Sequence, residues 1–203
     1  MRLLLIRHGC SLHTERDLIA IETCPGLAYD GRMQAGALAA RLARSFEAEG
    51  ARLLSSPVAR ARQTAEPLRA ALRVEIEDDP DLRELIPGEA DGMTKAEYVA
   101  RYGAAYGADT PPDQPFSPGG ESWSEFDARV RRTLDRLAAE NAGRTVLAVT
   151  HAGVIVIALL ALLRMSDGHA FLQPTFTGIT EFACKDDRWD LVRYNDAGHL
   201  VGG

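Results

Sequence analysis

Two histidines of this sequence stand just beyond the ends of apolar runs. His8 follows Leu3–Ile6 and Arg7, and His151 comes shortly after the run 145–149. Apolar runs of this length usually end in turn residues such as Asn-Gly or Pro, so a charged or titratable ending needs another explanation. A neutral imidazole has an unprotonated nitrogen near neutral pH and can attack an electrophile. We therefore take His8 as a candidate nucleophile.

A third apolar pair, Leu53 and Leu54, leads through Ser-Ser-Pro to Arg60. Arg7 and Arg60 carry planar, permanent positive charges whose donors match phosphate oxygens. We expect His151 to add a hydrogen bond and a further positive charge. Together these groups predict an anion hole for a phosphoryl group, whose charge is spread over its oxygens. Arg62, two residues along the same helix, points elsewhere and is expected to be a surface charge.

Strand-like and helix-like patterns alternate along the chain. The strand patterns cover residues 3–6, 53–54, 74–77, 145–149, 179–184 and 189–194. The helix patterns cover residues 34–46, a stretch ending near 72, 95–102, 123–139 and 152–163. Ser122 and Glu125 have the spacing of a capping box. These patterns predict an α/β fold, a three-layer α/β/α sandwich whose mostly parallel sheet has helices on both faces. In such sheets, ligands bind at the carboxyl ends of the strands.

Composition excludes several classes of partner. The chain has 203 residues, a formal net charge of −6 and an isoelectric point near 5.4. Nucleic acids and anionic membranes select basic surfaces, so neither is expected as a partner. The longest apolar run, 152–163, is too short to span a bilayer, and we expect no signal peptide. Three cysteines without a CxxC pair suit a reducing compartment, which predicts a cytoplasmic protein.

Six blocks of this sequence resemble the histidine phosphatase superfamily, in its phosphoglycerate mutase-like branch 1. The blocks are LLLIRHG at 3–9, SSPVARARQTAE at 55–66, LRELIPGEADGMT at 82–94, PGGES at 118–122, VTHAGV at 149–154 and NDAGHL at 195–200. Arg-His-Gly alone is a weak signal, but six blocks in the family's order are specific. The resemblance covers nearly the whole chain. It implies a phosphoglycerate mutase-like fold, with residues 1–203 forming one domain that carries an insertion around 85–120 over the site.

The resemblance also implies a mechanism and the residues that perform it. His8 attacks phosphorus and becomes a phosphohistidine, while Arg7, Arg60 and His151 hold the phosphoryl oxygens. Glu84 protonates the leaving oxygen and then activates water. The remaining phosphate contacts are assigned to three residues, which are Ser11, Thr14 and Ala152. Neither a metal nor another cofactor is implied, because the cations are side chains.

The first block departs from the family's usual pattern. Where the family often has Glu and Thr after Arg-His-Gly, and Asn three residues later, this chain has Cys10, Ser11 and Thr14. The loss of Asn puts one phosphate contact in doubt, although Thr14 is a shorter substitute. Cys10 is either a reactive thiolate beside the cations or a small buried residue. His13 is a candidate for the rim of the pocket, and His199 is expected to be structural.

Three functions are consistent with these residues. The first is a phosphatase acting on a small phosphomonoester. The second is a phosphoglycerate-type mutase, but the chain lacks the family's longer mutase insertion and its Trp-Asn. The third is an inactive phospho-ligand binding protein, which the intact set of site residues argues against. Specificity is expected from Leu12–Pro25 and Gly103–Ser117, which match no block. A homodimer joined at a sheet edge is also allowed.

Overall fold

The computed structural model describes residues 1–45, 47–103, 111–165, 172–186 and 188–201. Within these residues, the strands are Arg2–Arg7 (β1), Arg52–Ser55 (β2), Ile76–Asp78 (β3), Thr145–Thr150 (β4), Ile179–Lys185 (β5) and Arg188–Asp196 (β6). They form one sheet in the order β3-β2-β4-β1-β5-β6. The strand predicted at 74–77 is displaced toward Asp78, and the other strand predictions are confirmed to within a few residues.

The three strands that lead to the candidate residues are neighbours in the centre of the sheet. β4 pairs in parallel with β1 on one side and with β2 on the other. Arg7 lies opposite Thr150, and Ser55 lies opposite Val149, so the strands end at the same level. β5 and β6 add an antiparallel pair beyond β1. The mostly parallel sheet is confirmed, and its carboxyl edge brings three predicted site segments together.

Helices cover both faces of this sheet. Their bounds are Leu12–Glu15 (α1), Tyr29–Ser45 (α2), Ala59–Leu72 (α3), Lys95–Tyr102 (α4), Trp123–Glu140 (α5) and Ala152–Leu162 (α6). In β1, Leu3 and Leu5 face a core that α5 and α6 share, whereas Leu4 and Ile6 face a second core with α2 and α3. Both faces of β1 are therefore buried, which explains its uninterrupted apolar run. The predicted α/β/α sandwich is confirmed.

Capping boxes mark the start of two helices, α4 and α5. Ser122 and Glu125 form a full capping box, in which each side chain accepts a hydrogen bond from the other residue's backbone N–H. The predicted helix at 34–46 begins earlier, at Tyr29, and Phe46 lies outside the described residues. Glycine has a low helix propensity, so Gly31 weakens the helix pattern of the first turn, and the sequence did not predict that turn. The tertiary structure uses this glycine, because a Cβ there would overlap the carbonyl oxygen of Cys10.

Residues 85–120 join the sheet to α5. They contain a 3₁₀ turn at Gly88–Ala90 and the helix α4, whose bounds are those predicted. Leu85, Pro87 and Phe116 of this segment contribute to the wall of the cavity described below. Among the described residues, no helix combines the length and apolarity needed to cross a bilayer.

Candidate active site

A cavity of about 780 Å³ opens at the carboxyl edge of the central strands. Its wall includes the nucleophile candidate and most of the other predicted site residues, which are Arg7, His8, Arg60, Glu84 and Ala152. Arg7 ends β1, and Ala152 begins α6 directly after β4. Parallel strands meeting at one edge therefore place residues far apart in the sequence around one space.

His8 has a defined tautomer. Its Nδ1 lies 2.8 Å from the carbonyl oxygen of Gly9, which can only accept, so Nδ1 carries the proton. The lone pair is then on Nε2, where it accepts a hydrogen bond from Arg60 Nε at 3.1 Å. Burial and the charges of Arg60 and Arg7 hold the pKa of His8 well below its usual value. The imidazole is therefore neutral near pH 7 and has the unprotonated nitrogen that a nucleophile requires.

The loop after β1 is held closely against two helices. The Gly9 N–H donates to Thr64 Oγ1 at 3.0 Å, and the Thr64 hydroxyl donates to the Arg60 carbonyl at 2.7 Å. A Cβ on Gly9 would lie 2.6 Å from the carbonyl oxygen of Gly31 in α2. Glycine at position 9 thus allows α2 to approach the nucleophile's backbone, and Thr64 connects that backbone to α3.

The two arginines reach the cavity from different elements. Arg60, from the first turn of α3, is nearly fully buried and also donates from Nη1 to the carbonyl of Ala20 at 2.5 Å. Arg7 donates to the carbonyl of Pro174 at 2.7 Å, and its guanidinium lies 4.0 Å from the centre of the Phe176 ring. Burial lowers the pKa of Arg7 from its ordinary value. These contacts fix the direction of both guanidinium groups before any ligand arrives.

His151 is fully buried, with its ring centre 5.2 Å from that of His8. Its Nε2 lies 2.8 Å from Ser56 Oγ, and its Nδ1 has no hydrogen-bond partner among the described residues. Burial, with a smaller contribution from Arg60, holds the pKa of His151 well below its usual value. This lowered pKa argues against the expected positive charge on His151 in the site without a phosphoryl group. A neutral ring retains one N–H, so hydrogen-bond donation by His151 stays a prediction.

Glu84 is held at the amino end of α6. Its Oε2 accepts a hydrogen bond from the Gly153 N–H at 3.0 Å, and its Oε1 accepts one from the Leu85 N–H at 3.2 Å. A methyl group on Gly153 would overlap Oε1. The carboxyl group lies in the cavity wall.

The sequence analysis gave no role to the ion pair that supports Glu84. Arg129 of α5 makes two 2.7 Å hydrogen bonds to Glu121, and both side chains are largely buried. The same guanidinium donates to the carbonyls of Asp81, Arg83 and Glu84 at 2.7, 3.0 and 3.2 Å. Arg129 thereby fixes the backbone that carries the candidate acid. Glu121 belongs to the PGGES block, and its place in that block was the sequence signal that could have pointed to this ion pair.

Three of the predicted phosphate contacts, Ser11, Thr14 and the fully buried His151, are not among the described residues that line the cavity wall. Ser11 is buried and lies 2.5 Å from His13 Nδ1, whereas Thr14 is exposed and lies 3.4 Å from Ser11 through their hydroxyl oxygens. His13 does line the cavity, as considered from the sequence. Burial, then Arg60 and Arg7, lower the pKa of His13 to about 3.

Several neighbouring residues have structural partners. Burial raises the pKa of the Cys10 thiol, which favours the small-residue interpretation over the thiolate. His199 Nε2 lies 2.8 Å from Thr177 Oγ1, as fits a structural role. Arg62 is partly exposed and pairs with Asp78 at 3.4 Å, as expected of a surface charge. Residues 104–110 of the segment Gly103–Ser117, from which specificity is expected, lie outside the described residues.

Comparison with known proteins places this geometry in a family. The model of the histidine phosphatase superfamily (branch 1) matches residues 3–197. A bifunctional protein of Mycobacterium tuberculosis is 36% identical over 171 residues, which make up 84% of this chain and 46% of that protein. The chain thus spans about half the length of that relative. A metal-independent phosphoserine phosphatase of Arabidopsis thaliana is 27% identical over 98% of this chain and 82% of that protein.

Solved structures agree with the family match. The mycobacterial glucosyl-3-phosphoglycerate phosphatase, solved with VO3, has a TM-score of 0.78 and 27% identity, covering 96% of this chain and 99% of that one. A phosphoglycerate mutase of Bacillus anthracis has a TM-score of 0.80 at 20% identity, covering 99% and 95%, which shows a shared fold alone. Because the family model covers nearly the whole chain and its relatives include phosphatases, this chain belongs to branch 1 of the histidine phosphatase superfamily.

Proposed function

We propose that the protein hydrolyses a small phosphomonoester through a phosphohistidine on His8 Nε2, without a metal ion. The observation that carries this proposal is the Nε2 lone pair, which faces Arg60 in a cavity that also holds Glu84. A neutral nucleophile, permanent cations and a carboxyl group are the parts that acid–base and covalent catalysis of phosphoryl transfer require.

In the first step, Nε2 of His8 attacks phosphorus, and the bond from phosphorus to the ester oxygen breaks. Glu84, protonated, gives its proton to the departing alcohol. Arg60 exchanges its hydrogen bond to Nε2 for one to a phosphoryl oxygen. Arg7 supplies a second cation, and the unpartnered Nδ1 of His151 is available as a neutral donor when it carries that ring's proton.

In the second step, the Glu84 carboxylate takes a proton from water, and the water oxygen attacks phosphorus. The phosphorus–nitrogen bond breaks and leaves inorganic phosphate with a neutral His8. The hydrogen bond from the Gly153 N–H keeps the carboxyl group in one position through both steps, so one residue can serve as acid and then as base.

The relatives support a phosphatase more than the other two functions. The Arabidopsis and mycobacterial phosphatases share 27% identity with this chain, whereas the likeness to the mutase supports only the fold. The retained set of nucleophile, cations and candidate acid argues against an inactive binding protein. Activity that depends on a bisphosphorylated primer would favour the mutase instead.

The first experiment measures phosphate release from a panel of phosphomonoesters at pH 5 to 8 in the presence of a chelator. We expect His8→Ala to abolish release, because no other group in the proposal attacks phosphorus. His199→Ala is the matched control, since His199 contacts Thr177 rather than the cavity, and it is expected to retain turnover. Undiminished release by His8→Ala would contradict the mechanism.

A quenched reaction provides a direct check of the intermediate. Phosphoramidate bonds to histidine are cleaved by acid and survive alkali, whereas phosphoserine esters survive acid. We expect a radiolabelled phosphoryl group on wild-type protein that is stable in alkali, lost in acid and absent from His8→Ala. An acid-stable label would place the covalent chemistry on another residue.

Two further expectations from the sequence also stand as proposals. The free cysteines Cys10, Cys24 and Cys184 support a reducing, cytoplasmic location. The strand β6 lies at the outer position of the sheet beside β5, so it offers an edge to a second copy of the chain. Sedimentation of the purified protein would distinguish a monomer from this dimer.

A further inference from the structure

Apart from Arg7, His8, Arg60 and Glu84, the described residues that line the cavity are mainly apolar, with His13, Ser124, Asp127 and Gln173 as the polar ones. The apolar part of the wall includes Ile19 and Ile21 from the segment after β1, Phe116 and Trp123 near the start of α5, and Val156 from α6. An apolar wall of this kind stabilises a ligand by the surface it removes from water, about 25 cal/mol per Å². The leaving group of the substrate has to occupy this part of the cavity, because the phosphoryl group is held at the strand ends.

The same wall offers no cation to a second anionic group. Among the described residues that line the cavity, the arginines are Arg7 and Arg60, both beside His8, and no lysine is present. Asp127 lines the cavity and is paired with Arg131 at 2.6 Å. The sequences of 104–110 and 166–171, which the structure does not describe, contain neither lysine nor arginine.

A charged leaving group would therefore be poorly accommodated. A carboxylate moved from water onto this wall would lose its hydration and meet no compensating charge, which is unfavourable. An alkyl or aryl group would gain from the same transfer. Phosphoserine and glucosyl-3-phosphoglycerate, the substrates in the names of the relatives, both carry a carboxylate.

We infer that the substrate is a phosphomonoester of a neutral, largely apolar alcohol or phenol. This inference rests on the proposed phosphatase function and narrows it. It assigns a specificity role to Trp123, whose ring lines the cavity and whose buried Nε1 has no hydrogen-bond partner among the described residues. The ring packs against the leaving group.

A series of n-alkyl phosphates from ethyl to hexyl tests the apolar contact. We expect kcat/KM to rise by about fourfold for each added methylene while the chain remains within the cavity, as a buried methylene contributes about 0.8 kcal/mol. The partner substrate is n-pentyl phosphate with its terminal methyl replaced by a carboxylate, for which we expect kcat/KM to fall by about tenfold or more.

The outcomes separate this inference from the proposed function. Hydrolysis that depends on His8 but is independent of chain length, or that favours the carboxylate substrate, overturns the inference and leaves the phosphatase intact. If no ester of the series or of the wider panel is hydrolysed, the proposed function fails as well.

Variants at position 123 assign the effect to this wall. We expect Trp123→Ala to reduce the rise in kcat/KM per added methylene, because the variant lacks the ring that covers the alkyl chain of the substrate. Trp123→Phe keeps an aromatic surface and is expected to retain most of the rise in kcat/KM per methylene. If kcat/KM of Trp123→Ala still rises by about fourfold per added methylene, the role given to this residue is contradicted.

Binding without turnover provides a second readout. The chain has two tryptophans, so Trp189→Phe leaves Trp123 as the sole indole. Trp189 packs on Phe182 with ring centres 6.3 Å apart, away from the cavity wall, and phenylalanine keeps that aromatic contact. We expect hexylphosphonate to change the emission of Trp123 at much lower concentration than ethylphosphonate. Equal half-saturation concentrations would overturn the inference.

Discussion

At the scale of single residues, the site depends on which nitrogen of His8 carries the proton. The Gly9 carbonyl holds that proton on Nδ1, so Nε2 stays open to phosphorus. The position of Glu84 is likewise fixed at single atoms, because its two carboxyl oxygens accept hydrogen bonds from backbone N–H groups rather than from side chains. A substitution does not remove a backbone N–H group. An added side chain that overlaps the carboxyl group would nevertheless displace Glu84 from its hydrogen bonds.

Gly153→Ala tests the position of the candidate acid. The new methyl group would overlap Glu84 Oε1, so we expect kcat to fall by about 10²-fold, within the usual contribution of a general acid or base. The fall in kcat/KM should be smaller for esters whose alcohol leaves readily without a proton. A matched control is Gly36→Ala on α2, where a Cβ meets nothing within 4 Å. Because kcat/KM reports the step in which His8 is phosphorylated, an equal loss of kcat/KM for every leaving group would contradict a role of Glu84 as the acid.

At the scale of elements, parallel pairing and helix position explain how the side chains meet. β1, β4 and β2 end together, and α5 sends Arg129 across to the segment that carries Glu84. This buried guanidinium also satisfies the carbonyls of Asp81 and Arg83, so three backbone oxygens and Glu121 depend on it.

Arg129→Met is expected to destabilise the protein by about 3–5 kcal/mol, because Glu121 would remain buried without its partner. Urea denaturation measures this loss. Glu121→Gln combined with Arg129→Met should recover part of it, since the uncompensated charge is gone. If the double variant is as unstable as the sum of the two single variants, the ion pair is not the source of the effect.

Sequence patterns predicted the elements better than they predicted these long-range contacts. Apolar runs and the Ser122 capping box gave strands and helices that the structure confirms, and the parallel sheet followed from their alternation. Arg129 was missed because an arginine on a helix is usually exposed, and its carbonyl partners lie 45 to 48 residues away. The expected charge on His151 took no account of burial, which a linear pattern does not report and which lowers the pKa of that ring.

At the scale of the whole molecule, the fold keeps three imidazoles neutral in one site. Burial is the largest cause for each of them, namely His8, His13 and His151, and the nearby arginines add to it. Because the pKa values of these histidines are lowered in the folded protein, the folded protein binds fewer protons than the unfolded chain at the same pH. Its stability therefore depends on pH in a range where carboxylates do not yet titrate.

We expect the free energy of unfolding to fall as pH drops from 7 to 5. In the unfolded chain these histidines take up protons near pH 6.5, whereas in the folded protein they do not, so acid favours unfolding. The slope approaches about 1.4 kcal/mol per pH unit for each histidine below that pH. Urea titrations at several pH values measure it, and His13→Gln should reduce the slope by about one quarter to one third, because burial also lowers the pKa of His199. A flat profile between pH 7 and 5 would contradict the lowered pKa values.

The central position of β1 also governs when the protein can mature during synthesis. This strand precedes both of its neighbours in the sheet along the chain, since they begin at Thr145 and Ile179. The apolar run Leu3–Ile6 is therefore synthesised well before the strands that pair with it, and pairings of such sequence separation form slowly. Before β4 has emerged, a nascent chain would contain the nucleophile but not the strand that joins β1 to β2 in the sheet. An apolar strand left unpaired in this way exposes hydrophobic surface to aggregation.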